Sequence, residues 1–199
     1  MGGLQRRWRC DAVVMAMVRT ARSGDERGLA EVRVRGWQRG YEGIVDAEFL
    51  AAMSLEENEQ RWSVVLREQG GLRKTFVVDV GSDDGPNVVG FSSFGPYRTA
   101  TGDDTTLEIA AWAEPGTVGE VYGFYLHPDH WGSGLADELM DASISALIDD
   151  GWPTARLWVL AENARAKRFY ERHGWRFDGK TQPLTIPDRP IEARYARTL

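Results

Sequence analysis

The chain has 199 residues, 42% of them hydrophobic, with eight tryptophans and a formal net charge of −6. That length suits one domain rather than two, and the tryptophans, spread from Trp8 to Trp175, supply apolar surface for a sizeable core. The acidic balance carries no broad attraction for phosphate backbones or anionic lipid, so neither nucleic acid nor membrane is an expected partner.

The single cysteine, Cys10, cannot close an internal disulfide, and no Cys/His cluster has zinc spacing, so no metal is expected. No stretch approaches the roughly 20 apolar residues of a membrane span, and Arg6-Arg7-Trp8-Arg9 is not followed by the apolar run of an export signal. We expect a cytoplasmic protein with residues 1–13 as a peripheral N-terminal arm and 14–199 as a single domain.

In chain order, residues 13–19 read as a strand, and Ser23-Gly24-Asp25-Glu26 starts a helix with acids in its first turn. Leu29, Val32, Gly36 and Trp37 recur at helical spacing until Gly40 ends the run. A short helix over 46–53 follows, then a third from Ser54-Leu-Glu-Glu, a capping-box pattern, to Gly70. The period then becomes extended: residues 75–80 and 88–94 predict a hairpin around a Gly- and Asp-rich turn, and 105–113 and 118–126 predict two further strands. A helix over 134–149, a strand over 155–160 and a helix over 163–173 complete a βαβα order. The tail holds Trp175-Arg-Phe177, a loop over 181–190 with three prolines, and a last strand over 192–197. The fold class is therefore mixed α/β: a mostly antiparallel central sheet flanked by helices, able to splay into a cleft at a central strand pair.

Two stretches carry chemistry. In Trp131-Gly-Ser-Gly134-Leu-Ala136 a turn opens a helix, whose first N–H groups lack partners and favour an anion; Gly132, Gly134 and Ala136 allow close approach. A plain strand-to-helix turn is the simpler reading of that stretch alone. Downstream, Asn163, Ala166 and Tyr170 stand at offsets 0, 3 and 7, on one helical face. Together the segments resemble the GNAT N-acetyltransferase superfamily, whose loop reads Arg/Gln-x-x-Gly-x-Gly/Ala and whose next helix reads Asn-x-x-Ala-x-x-x-Tyr-x-x-x-Gly-Phe. Here the second motif is Asn163 through Ala166 and Tyr170 to Gly174-Trp175. Trp131 stands where the family has Arg or Gln, which takes a cation away from the cofactor's phosphates, and Asp137 and Glu138 add repulsion that the amides must outweigh.

The resemblance implies an acetyl-CoA-dependent N-acetyltransferase acting on a primary amine of a small molecule or a protein amino group, without metal, in a fold that is often a homodimer. It places the cofactor against the backbones of Tyr125, Leu126 and His127, the loop Gly132, Ser133, Gly134, Leu135, Ala136 and Asp137, and Asn163 and Ala166. It makes Tyr170 the proton donor to the departing thiolate, which suits a phenol with a pKa near 10 facing a thiol near 8.5. Glu120, on the strand before the loop, is the candidate base, with a water relay as the alternative. In a regular strand Glu120, Tyr122, Phe124 and Leu126 share a face, where apolar burial favours a more basic carboxylate; a bulge would change that face. Trp37 and Tyr41 are candidate substrate contacts, against core packing as the alternative for Trp37. Arg165, Lys167, Arg168 and Arg172 make a basic helix, which reads either as a solvated face or as a partner for the cofactor's adenosine phosphates, the solvated face being favoured for most of them. Two competing readings are a catalytically silent acyl-CoA-binding or sensing domain and a nucleotide-binding module. The second lacks the Lys-Ser/Thr of a P-loop.

Overall fold

The computed structural model describes residues 16–68, 70–82, 85, 87–98 and 117–199. The N-terminal arm, and the strand expected over 105–113, lie outside them.

β1 (Met17–Thr20) leads into α1 (Glu26–Gly40), α2 (Ala47–Ala51) and α3 (Leu55–Glu68). Local chemistry sets these helix starts. Asp46 accepts the Phe49 N–H at 2.7 Å, and Ser54 Oγ accepts the Glu57 N–H at 3.2 Å. β2 (Lys74–Asp79) and β3 (Val88–Pro96) form the expected hairpin, and β4 (Gly119–Leu126) pairs with β3. A single 3-10 turn (Pro128–His130) precedes α4 (Leu135–Asp149), followed by β5 (Thr154–Leu160), α5 (Ala164–Arg172), β6 (Arg176–Pro183) and β7 (Ile191–Thr198).

The described strands make one seven-stranded sheet in the order β1-β2-β3-β4-β5-β7-β6. Every neighbouring pair is antiparallel except β4 and β5. α4 and α5 cover one face, where Met140, Ile144 and Tyr170 meet Leu157, Val159, Trp175 and Tyr195. α1 and α3 cover the other, where Leu29, Val32 and Trp62 meet Val77 and Phe91. The fold class read from the sequence is the one observed.

β6 corrects the expected tail, for the strand runs through Pro183 into the stretch read as loop. Its sequence, Arg-Phe-Asp-Gly-Lys-Thr-Gln-Pro, has no period-two pattern because it is an edge strand exposed along almost all its length. Gly179, at φ +91°, sits in a register shift between Phe177 and Thr181.

Candidate active site

β4 and β5 pair only over Gly119–Val121 against Ala155–Leu157, then diverge. The parting opens a cleft of about 620 Å³ between their C-terminal halves. Its position follows from topology. α4, which connects the two strands, starts at the end of β4, and α5 leaves the end of β5, so both helix N-termini border the opening.

The β4 peptide groups fall into two sets. His127 donates its N–H to Val89 O on β3 at 2.7 Å, so by strand alternation Tyr125 also addresses β3. Phe124 and Leu126 therefore turn their peptide groups toward the cleft. This corrects the expected backbone set: the peptides of Tyr125 and His127 are committed to the sheet, and Phe124 takes a place the sequence reading gave to its neighbour. The Leu126 carbonyl accepts the indole N–H of Trp131 at 2.9 Å, which folds that side chain back over the strand end.

A second correction concerns Glu120. The β3–β4 register shifts so that Ser93 opposes Gly123 while Phe94 opposes Val121, leaving Tyr122 as an extra residue in β4. Val121 and Phe124 accordingly pack into the same cluster, which regular alternation forbids for residues three apart. Glu120 thus lies on the face opposite Phe124 and Leu126. It is 1% exposed. Its surroundings are not merely apolar: Arg98 donates its main-chain N–H to Oε2 at 2.8 Å, and its Nε (3.0 Å) and Nη2 (2.5 Å) to Oε1. The guanidinium compensates the buried carboxylate. Beside it Tyr122 donates to Pro96 O at 2.6 Å, and burial, reinforced by the Glu120 charge, pushes its hydroxyl above the ordinary phenol range. Tyr122 is thereby held as a proton-bearing donor.

On the cofactor side, Gly132 and Gly134 have φ of +82° and +89°, and an added Cβ would meet nothing within 4 Å at either position. Gly134 is the N-cap of α4 and has no side chain to cap it; Ser133 Oγ accepts the Leu135 N–H at 3.4 Å and Gly134 O accepts the Asp137 N–H at 2.9 Å. Ser133 Oγ donates to His130 O at 2.7 Å, and Leu135 is buried under the helix, so these two hold the turn while Gly132, Gly134, Ala136 and Asp137 line the cleft. Across the opening, Asn163 Oδ1 accepts the Ala166 N–H at 3.0 Å and starts α5. Tyr170, two turns on, is 8% exposed and lines the same cleft as Phe124, their rings 6.4 Å apart. The alternation of strand and the pitch of helix bring these residues together from positions some forty apart.

On the opposite side of the parting, Trp37 of α1 and Tyr41, the cap at its C-terminus, line the cleft, their rings 4.9 Å apart edge-to-face. Trp37 is 2% exposed and donates its indole N–H to the Tyr125 hydroxyl at 3.0 Å, so it is both core and wall. Gly36 lets α1 approach this wall, since a Cβ there would meet Tyr125 Cδ1 at 3.3 Å. Tyr97, Arg98, Trp158, Gln182 and Glu192 also line the cleft. Gln182 belongs to the 181–190 stretch that the family resemblance puts on the acceptor side; sequence reasoning missed the other four because no local motif marks them. The one available signal was Trp158, which alternates out of phase with Leu157 and Val159. Arg165, on the helix read mostly as a solvated face, has its guanidinium carbon 3.4 Å from the centre of the Trp131 ring. Among the described residues no group of three His, Cys, Asp or Glu is placed to hold a metal ion, and no helix is long and apolar enough to cross a membrane.

The site thus sets two outward-facing strand peptides beside the N-terminus of α4. The model of the Acetyltransferase (GNAT) family matches residues 37–175. An uncharacterized N-acetyltransferase, YuaI, of Bacillus subtilis (strain 168) is 27% identical over 149 residues, 75% of this chain and 74% of that protein. The mycothiol acetyltransferase of Streptomyces coelicolor is 41% identical over 58 residues, 29% of this chain and 19% of that one. Among solved structures, the PaiA N-acetyltransferase of Thermoplasma acidophilum in complex with coenzyme A superposes with a TM-score of 0.66 at 15% identity, covering 93% of this chain and 99% of that one. The ribosomal-protein-S18-alanine N-acetyltransferase of Escherichia coli gives 0.60 at 16% identity, covering 92% and 94%. The chain therefore belongs to the GNAT family of acetyltransferases and is an acyltransferase.

Proposed function

We infer that the protein transfers an acetyl group from acetyl-CoA to a primary amine by direct attack on the thioester. The observation that carries this reading is the parting of β4 and β5, which puts the Phe124 and Leu126 peptide groups, the Gly132–Gly134 turn and Tyr170 on one cleft. The co-substrate supplies an activated acetyl group, and a related structure was solved with coenzyme A. The chain's own residues do the rest. The Leu126 and Phe124 peptides align the donor along the strand edge, as an added strand would, and Phe124 and Phe169 wall the reacting end from water. Tyr170 delivers a proton to the leaving sulfur.

Glu120 is kept as the proton acceptor for the amine. Its burial and its ion pair with Arg98 favour transfer through a water over direct contact. The acceptor enters from the α1 side, between Tyr41 and Trp158. A small-molecule amine and a protein amino group both fit an opening of this kind, and the Escherichia coli structural neighbour is named for a protein alanine. We place the activity in the cytoplasm. A homodimer is the assembly to test, by sedimentation, with the β6 edge and its 51%-exposed Phe177 as the contact.

The deciding experiment is an amine-library screen reporting free thiol from acetyl-CoA. Thiol release with at least one amine is expected. Calorimetric binding of acetyl-CoA without turnover across the panel would replace this reading with the silent acyl-CoA-binding one.

A further inference from the structure

We propose that Arg165 reads the diphosphate of the acyl donor, and that Trp131 is the platform that presents it. The proposal rests on the cleft being the acetyl-CoA site, and it assigns the positive charge that the loop itself lacks at position 131.

The pair joins the two lips of the cleft. Trp131 comes from the turn after β4 and is pinned by its hydrogen bond to Leu126 O. Arg165, the second residue of α5, comes from the far side, beyond β5. Both line the cleft, and the guanidinium carbon stands 3.4 Å over the indole ring. A guanidinium stacked in this way uses its face for the ring and keeps its in-plane N–H fork for an anion, the geometry that suits phosphate oxygens.

The surrounding charges are consistent with that use. Arg165 has no carboxylate partner among the described residues, and its contact with the indole lowers its proton affinity through burial alone. Of the other cations of α5, Lys167 donates to Ala161 O at 2.9 Å and Arg172 stands 3.9 Å from Asp137. His173 Nε2 lies 3.2 Å from the same Asp137 oxygen. Asp137 in the first turn of α4 is thus met by the far end of α5, while the near end places Arg165 over Trp131. A basic side chain at position 131 would carry its charge from the loop; here the charge arrives from the next helix, held in place by an aromatic ring.

The test compares acetyl-CoA with S-acetylpantetheine, which ends before the diphosphate, in wild type, Arg165→Ala and Arg165→Ala/Trp131→Arg. The expected result is that Arg165→Ala narrows the ratio of kcat/KM between the two donors about tenfold, the size of one charge-assisted contact, mainly through KM. The double variant should restore most of that ratio. Calorimetry with dephospho-CoA should show the same loss, since that molecule keeps the diphosphate. An unchanged donor ratio in Arg165→Ala, or a loss that vanishes with dephospho-CoA, overturns the assignment. If wild type binds neither CoA nor its truncated forms, the acetyl-CoA reading of the cleft falls first and this proposal falls with it.

Discussion

Glu120 and Tyr170 face the same cleft from different kinds of environment. Tyr170 sits on a helix face among Phe124 and Phe169, so its substitution tests chemistry with little structural disturbance. Tyr170→Phe should lower kcat about a hundredfold, the usual scale for one acid–base group, while calorimetry finds acetyl-CoA affinity changed by no more than about twofold. Equal losses in both would move Tyr170 from proton donor to packing. Glu120 is coupled to Arg98, so Glu120→Gln should destabilise the fold by about 2 kcal/mol, through weakened charge-assisted bonds, as well as reduce turnover. The double variant Glu120→Gln/Arg98→Met separates the two effects: urea denaturation should show stability largely regained, with turnover still depressed. Recovery of turnover in the double variant would make Glu120 an anchor for the Tyr97–Arg98 corner rather than the base.

Among the elements, the most consequential is the turn from β4 into α4. Gly134 at φ +89° occupies a region that a side chain with a branched Cβ resists, by roughly 1–2 kcal/mol. Gly134→Val should lose about that much stability and, because its Cβ would stand where the first-turn N–H groups meet an anion, weaken acetyl-CoA binding more than tenfold. Calorimetry beside a denaturation curve checks both, and equal affinity would remove the proposed cradle. β4 itself marks how far a sequence pattern reaches. Val121 to Leu126 announced a strand, and Gly132 to Ala136 announced the turn, because both signals are local. The bulge at Tyr122 was not legible, since it arises from how β3 and β4 register against each other, and it alone reverses the face on which Glu120 lies. β6 was missed for a related reason: an exposed edge strand has no buried face to impose alternation.

For the whole molecule, the acid limb of stability should run through the first strand. Arg19 bonds both Asp25 (2.7 Å) and Asp79 (2.9 Å), tying the start of α1 to the end of β2. Burial works against the Asp79 charge, yet the N–H groups of Asn87 and Gly81 and the Arg19 guanidinium together hold its carboxyl below the ordinary value of 3.8. A carboxyl depressed in the folded state stabilises above its unfolded pKa and loses that contribution as pH falls through the folded one. Wild type should therefore lose stability below about pH 4. Asp79→Asn should begin lower at pH 7 and decline less on acidification, as read from urea midpoints at pH 7 and pH 3. Parallel declines would place the acid sensitivity elsewhere.

By itself the sequence determined the fold class, the loop that opens α4 and the Asn163–Ala166–Tyr170 face, because helix pitch, glycine torsions and cap chemistry act over a few residues. It also carried the family, since both motifs are contiguous. Only the tertiary structure decided which β4 peptides face the cleft, that Glu120 is sealed against Arg98, and that Arg165 lies on Trp131. Those facts depend on strand register and on pairings between residues about twenty to forty positions apart, and no local periodicity encodes where two such side chains will meet.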